Sequence, residues 1–311
     1  NRFNKQKFMI EKLRPGIMFH HFWSANYKKT PGALNKTIFK TKLNKLSKKF
    51  NLLSANNYLE LFKSNKLKKN DIFVSFDDAL KCQIDIALPV LDSMKIKAFF
   101  FIYTSIFDNR FSRLELYRDF RYSKFKNIDD FYKNFFYFLK TKYPSLYKKS
   151  EKSFNKNFLK QFKYYSLSDK KFRHARNLIS EKKYNFIMDQ MIKDKKYNVL
   201  KKKKELLMNK NDIRDLSKNG HIIGLHSHSH FTDINKKSFN IQYFDFKKNK
   251  SILEKITNKT IDVASYPCGN YGKNTIKVLK KININFAMRA DDTRQKKNYE
   301  IPRIDHTLIK L

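Results

Sequence analysis

Apolar residues in this chain alternate between two rhythms. Short, dense runs of β-branched and aromatic residues near 16–22, 71–77, 97–103, 221–226, 261–267, 283–288 and 301–309 read as strands. Stretches at 35–50, 55–66, 80–94, 238–257 and 273–281, where apolar positions recur every three or four residues, read as helices. Runs such as Ile72 to Phe76 are apolar or small throughout, as expected of strands covered on both faces. Seven such strands with helices between most of them predict a parallel α/β barrel.

The rhythm changes between 105 and 209. FYKNFFYFLK and KKYNFIMDQMIKD keep helical spacing but sit amid aromatics and lysines. The expected organisation is therefore a discontinuous barrel, 1–104 and 210–311, interrupted by a helical insertion, 105–209. The insertion reads as a lid or substrate platform, with a simple packing appendage as the other reading.

Candidate chemistry begins with histidine. Four of the eight histidines, His221, His226, His228 and His230, fall in the run GHIIGLHSHSH. An H-x3-H pair lets two imidazoles converge on one metal ion. Histidines alternating on a solvated strand would give the same spacing. A separate acidic pair, Asp77-Asp78, closes the strand-like run DIFVSF. The C-terminal end of a barrel strand is where such folds place their chemistry. Adjacent residues there point in different directions, so one carboxylate can hold a metal while the other stands beside it as a base. A helix N-cap would account for one of the two.

SFDD (Ser75 to Asp78), HSHSH (His226 to His230) and YPCG (Tyr266 to Gly269) resemble motifs one to three of the polysaccharide deacetylases, the NodB-homology proteins of carbohydrate esterase family four. GIMFHHF, from Gly16, resembles the MYHHI-like first strand of the branch whose third motif is FAYPYG-like; that segment here is VASYPCGNYG. The similarity covers roughly 15–105 and 210–310, in the family's order. It implies a distorted (β/α)7 barrel and a divalent metal held by Asp78, His226 and His230. Zn²⁺ is the first expectation, with Co²⁺, Ni²⁺, Mn²⁺ or Fe²⁺ as alternatives. It makes Asp77 the base and puts an oxyanion-binding backbone N–H near Cys268, with Tyr266, Pro267 and Arg289 on the substrate side. His306, in Ile304-Asp305-His306, matches the family's hydrophobic-x-His acid; His20 is the competing candidate, and His21 is expected to face outward.

The chain also departs from the family. Ser265 stands where many members carry an arginine that orients the catalytic aspartate, and Arg289, Asp291 or Arg303 could replace it by position. Ala79 replaces a glycine, Cys268 an aromatic, and no tryptophan occupies motif four. His221, Ser227 and His228 are expected to be supporting or structural.

The formal charge of +40 enters last, because it changes the picture least. Residues 105–215 carry 30 Lys and Arg against 13 Asp and Glu, so the excess is spread along the chain, and 56 lysines face 12 arginines. That pattern fits codon drift in an AT-rich genome better than selection for phosphate-gripping arginine. A specific nucleic-acid partner is not expected. Attraction to an anionic or lipid-linked glycan, or peripheral membrane contact through the basic surface, is. Under such drift retained glycines are informative, and four of the six, Gly220, Gly224, Gly269 and Gly272, lie in or beside motifs two and three.

No stretch reaches the ~20 apolar residues of a membrane span. NRFNKQKFMIEKLRPG lacks the apolar core of a leader, and two cysteines make no disulfide framework. The default location is cytoplasmic, with a periplasmic or membrane-peripheral one compatible with a removed leader. The expected activity is hydrolysis of an N-acyl group, most often acetyl, from an amino sugar of a cell-surface polysaccharide or its precursor. Alternatives are a deformylase or amidase on a small, lipid-linked or nucleotide-linked substrate, and a catalytically silent carbohydrate-binding barrel. The oligomeric state stays open.

Overall fold

Each of the seven expected apolar runs contains a barrel strand in the computed structural model, which describes residues 16–160, 165–291 and 297–309. The segment 1–15, read above for a leader, lies outside the described residues. The strands are β1 (Gly16–Phe19), β2 (Asn51–Leu52), β3 (Asp71–Ile72), β4 (Val74–Phe76), β5 (Phe99–Ile102), β6 (Ile222–Leu225), β7 (Val263–Ser265), β8 (Phe286–Met288) and β9 (Arg303–Asp305). β2 and β3 form a separate parallel pair. The other seven run parallel in the order β8-β7-β6-β5-β4-β1-β9, and a parallel bridge between Met288 and Ile301 links the two ends. The result is the parallel barrel that the pattern predicts, in the distorted (β/α)7 form that the resemblance implies.

The run at 71–77 splits at Phe73, where pairing passes from β2 to β1. The Phe73 ring lies over Gly16, where an added Cβ would stand 2.0 Å from the nearest ring atom. Only glycine permits that approach.

The barrel helices are α1 (Lys36–Lys49), α2 (Ala55–Lys63) and α3 (Leu88–Ser93), the last preceded by a π turn over Gln83–Ala87. Pro89 in the first turn of α3 has no N–H to return to the preceding turn, which explains why the expected helix at 80–94 changes winding there. Then follow α4 (Leu114–Ser123), α5 (Ile128–Lys142), α6 (Pro144–Ser153), α7 (Leu167–Leu178), α8 (Glu181–Asp194), α9 (Val199–Leu206), α10 (Lys210–Lys218), α11 (Phe239–Thr257) and α12 (Lys273–Lys281).

The described residues divide into two compact units, one within 16–27, 32–112 and 204–309, the other within 28–31 and 113–203. The second unit is helical around an aromatic core in which Phe135 meets Phe172 edge to face at 4.8 Å and Phe131 meets Phe172 at 5.3 Å. Such contacts explain the density of Phe and Tyr in that segment. In the barrel unit, Phe73, Phe99, Phe101, Val263 and Met288 pack with Tyr58 and Leu59 of α2 in one buried cluster. The barrel interior also holds a buried polar group, Ser75, Asp77, Ser265 and Arg303, which burial without partners would make costly.

Candidate active site

Three loops at the C-terminal ends of β4, β6 and β7 carry the candidate residues, and their backbones are strained. Asp78 (φ 77°), Ala79 (φ 53°), Ser227 (φ 57°), His230 (φ 52°) and Cys268 (φ 53°) are all left-handed without being glycine. Each such residue costs on the order of 1–3 kcal/mol and persists only where its surroundings hold it. Ala79, where the family usually has glycine, is one of them.

The strain turns Asp78 toward the histidines. Its Oδ1 lies 3.1 Å from His230 Nε2 and 3.3 Å from His226 Nε2. One ligand atom from each of Asp78, His226 and His230 lies within 4.8 Å of the others. Bonds of about 2.1 Å to one ion give ligand edges of about 3.0 Å in an octahedron and about 3.4 Å in a tetrahedron. His226 also has the required tautomer. Its Nδ1 is 3.1 Å from the Ser265 carbonyl oxygen, which can only accept, so Nδ1 holds the proton and Nε2 presents a lone pair. Burial would raise the Asp78 carboxyl, but the His226 and His230 rings beside it, when they carry protons on Nε2, outweigh burial and hold it well below the ordinary carboxylate range; a metal ion would take the place of those protons. The donor set fits a borderline divalent cation.

Helix α11 fixes this loop from behind. Asn249 Oδ1 accepts the His226 N–H at 3.1 Å, while its amide donates to the Ile102 carbonyl and to Thr104 Oγ1. One turn earlier, Asp245 accepts the N–H groups of His228 and Ser229. Neither residue was found from sequence. The available signal was a pair of polar residues four apart on the buried face of α11. His228 itself turns away from the cluster, its ring nitrogens meeting Thr104 Oγ1 at 2.9 Å and Asp108 Oδ2 at 3.1 Å.

Asp77 is 2% exposed and gripped by arginine. Arg303 donates from Nη1 to Oδ1 at 2.6 Å and from Nη2 to Oδ2 at 2.7 Å, a bidentate clamp, and also reaches Ser265 Oγ. Burial raises the Asp77 carboxyl, but the Arg303 guanidinium and then His226 more than offset it, leaving it below the ordinary range. Of the three residues that could by position replace the family's arginine, Arg303 is the one that meets Asp77. Period-two alternation explains this: on β9 Arg303 and Asp305 share one face and Ile304 the other. The Arg289 guanidinium instead pairs with Asp291.

The two candidate acids part company. His20 lies between carboxylates, Nε2 4.0 Å from Asp78 and Nδ1 4.0 Å from Asp305, with a partly exposed side chain. His306 stacks on Phe19 at 5.0 Å, in the layer that Phe39 of α1 covers. Burial pushes its imidazole down to about 4. Tyr266 also faces elsewhere, its ring stacked on Tyr271 at 4.3 Å and its hydroxyl donating to the Tyr299 carbonyl. Pro267 is buried at the start of the turn, and Cys268 is exposed on it.

A sequence profile described as polysaccharide deacetylase matches residues 181–287, a span that contains the histidine loop and the third motif. That segment, about a third of the chain, is similar to the polysaccharide deacetylases. Asp77 and Asp78 lie outside the matched span, and the fold brings them to it. No curated protein matches the chain in sequence. Its fold is similar to that of the Streptococcus pyogenes deacetylase PplD, at 14% identity with a TM-score of 0.55 over 94% of this chain and 92% of that one. It is similar also to IcaB from Ammonifex degensii, at 12% identity and TM-score 0.55 over 94% and 91% of the two chains. The BpsB deacetylase domain from Bordetella bronchiseptica matches at 12% identity and TM-score 0.53, over 94% and 97%.

Proposed function

We propose that this chain is a metal-dependent hydrolase that removes the N-acetyl group from an amino sugar of a cell-surface polysaccharide or its precursor. The observation that carries the reading is the Asp78, His226 and His230 group standing beside a second, separately clamped carboxylate, Asp77. A binding module needs no buried carboxylate held ionised next to a metal site; a hydrolase does. PplD, one of the similar structures, was solved in complex with acetate, the acid that N-deacetylation releases.

A divalent ion held by Asp78, His226 and His230 would polarise the amide carbonyl and acidify water. Asp77 Oδ2, 4.0 Å from His226 Nε2, is placed to take the nucleophile's proton. Arg303 fixes both of its oxygens and keeps it charged. That grip lowers its basicity but removes any search among rotamers. His20, open to solvent between Asp78 and Asp305, is placed to hand a proton to the departing amine. His306, neutral at pH 7 and facing Phe19, is not.

Asp77→Asn leaves the buried Arg303 guanidinium without its counter-charge, at a cost of about 3–5 kcal/mol in stability; the folded, metal-loaded variant should release acetate from N-acetylglucosamine oligomers about two to four orders of magnitude more slowly than the parent. Turnover within a few-fold of the parent would remove Asp77 as the base. No acetate release by the metal-loaded parent from any N-acetylated glycan would sink the reading.

A further inference from the structure

Among the described residues of the barrel unit, four large apolar side chains stand well exposed: Ile38 (48%), Ile241 (48%), Phe244 (66%) and Leu308 (48%). Isolated exposed hydrophobics are ordinary. These four share one end of the barrel. Ile38 lies in the first turn of α1, which follows β1; Ile241 and Phe244 lie in the first two turns of α11, which follows β6; Leu308 lies in the turn directly after β9. In a parallel barrel those positions ring the C-terminal edge of the strands, the edge that carries Asp78, His226 and His230.

The exposed residues fall into two groups. Lys42 Nζ donates to the carbonyls of His306 and Ile309, tying α1 to the turn that bears Leu308. On the other side, Ile241, Phe244 and Phe231 line a shallow apolar depression that His228, Asp245 and Lys248 complete. Phe231 directly follows the candidate ligand His230.

Lysines border both groups. Lys36, Lys40, Lys236 and Lys247 are exposed, while Lys248 pairs with Asp108 at 2.8 Å, and neither α1 nor α11 has an acid in its first turn, where acids are favoured. Lys237 Nζ lies 5.1 Å over the Phe231 ring and Lys281 Nζ 4.9 Å over Tyr243. An ammonium held against a ring face sets charge and apolar surface side by side, which suits an oil-water boundary.

A soluble polyanion would use the lysines and gain nothing from Ile241, Phe244 or Leu308. A neutral hydrocarbon surface would use the apolar groups and leave the lysines idle. Both are satisfied together by anionic lipid headgroups over acyl chains. No helix among the described residues is long and apolar enough to cross a membrane, so the contact is with the surface. We propose that the catalytic edge of the barrel docks on an anionic lipid bilayer, with Ile241 and Phe244 on one side and Ile38 and Leu308 on the other entering at headgroup depth while the bordering lysines pair with lipid phosphates. Docking of this kind presents the site to glycan carried at the membrane surface, and it is read without turnover.

The test uses the full chain with phosphatidylcholine vesicles, alone or with about one third phosphatidylglycerol. Sedimentation should show binding to the anionic vesicles only, and Ile241→Ser/Phe244→Ser should lower partition at least about tenfold with metal content unchanged. Tyr137→Ser, which removes a side chain 66% exposed in the helical unit, is the control and should bind as the parent does. Trp23, the sole tryptophan, lies on the loop after β1 at the same edge and gives a readout without substitution. Brominated phosphatidylglycerol should quench its fluorescence. Undiminished binding by the double variant, equal loss in the Tyr137 control, absence of Trp23 quenching in bound protein, or displacement from vesicles by an equal charge of soluble anionic polysaccharide would each overturn the proposal.

Discussion

β6 carries a histidine at each end, and the two have opposite fates. His221, just before the strand, accepts the Ala98 N–H on Nδ1 at 3.1 Å, packs edge-on against Phe100 at 5.2 Å, and is pushed by burial down to about 4. His226, just after it, donates from Nδ1 to a carbonyl and turns Nε2 to Asp78. Two imidazoles five residues apart thus hold opposite tautomers, one as a neutral packing group and the other as a ligand. The backbone group opposite Nδ1 decides which. At the N-terminal end an amide N–H faces the ring; at the C-terminal end a carbonyl does.

The largest break in that contrast should come from substitution. Ala at Asp78, His226 or His230 should reduce bound divalent metal from near one per chain to less than about a tenth and abolish deacetylation, because three ligands leave none to spare. His221→Gln, which keeps an acceptor for the Ala98 N–H, should retain both metal and turnover. Elemental analysis of the four purified proteins decides the matter: full occupancy in all of them, or loss of metal in His221→Gln, would show that the two ends of β6 do not differ in this way.

Legibility from sequence follows the same contrast. Seven barrel strands were readable because two-sided burial forces dense apolar runs, and the second unit was visible as helical because its aromatic positions keep helical spacing. The convergence of Asp78, His226 and His230 was readable because rare residue types clustered at strand ends. What stayed hidden depends on which way a side chain points once neighbouring strands are in register. Arg303 was one of three positional candidates until β9 paired with β1 and its inward face met Asp77. His306 carries a fitting motif, yet its ring faces Phe19. Helices α4, α6, α7, α9 and α10 were missed: α6 buries only Ser150 and α9 no residue, which leaves a weak periodic signal, whereas α4, α7 and α10 are short amphipathic segments whose signal was present and went unread.

A smaller effect should follow from loosening the Asp77 clamp while leaving the ligands alone. Arg303→Met would strand a buried carboxylate, at a cost of about 3–5 kcal/mol in stability. Arg303→Lys keeps the charge but loses the two-pronged grip, and should fold, bind metal and lower kcat about ten- to a hundredfold with little change in KM. The sign of the pH effect is fixed, because Arg303 is what holds the Asp77 carboxyl down. Weakening the contact lets burial raise it, so the acidic limb of the rate profile should move to higher pH. An unshifted limb with an unchanged kcat would reduce Arg303 to a packing residue.

The smallest effect concerns His221, and it is read in stability alone. Its imidazole titrates at about 4 when folded against an ordinary 6.5, so between those values the unfolded chain takes up a proton that the folded chain refuses. Stability contributed by the neutral ring is therefore complete above pH 6.5, falls as the pH drops toward 4, and falls no further below it, by on the order of 3 kcal/mol in total. His306 is shifted in the same direction and adds a parallel loss, so the parent alone does not isolate either ring. The difference between the parent and His221→Gln does. With chelator present in both samples to remove metal linkage, urea unfolding at pH 7 and pH 4.5 should show the parent losing more stability than the variant. Equal losses would mean that His221 is as accessible to protons in the fold as outside it, and the contrast between the two ends of β6 would then rest on metal binding alone.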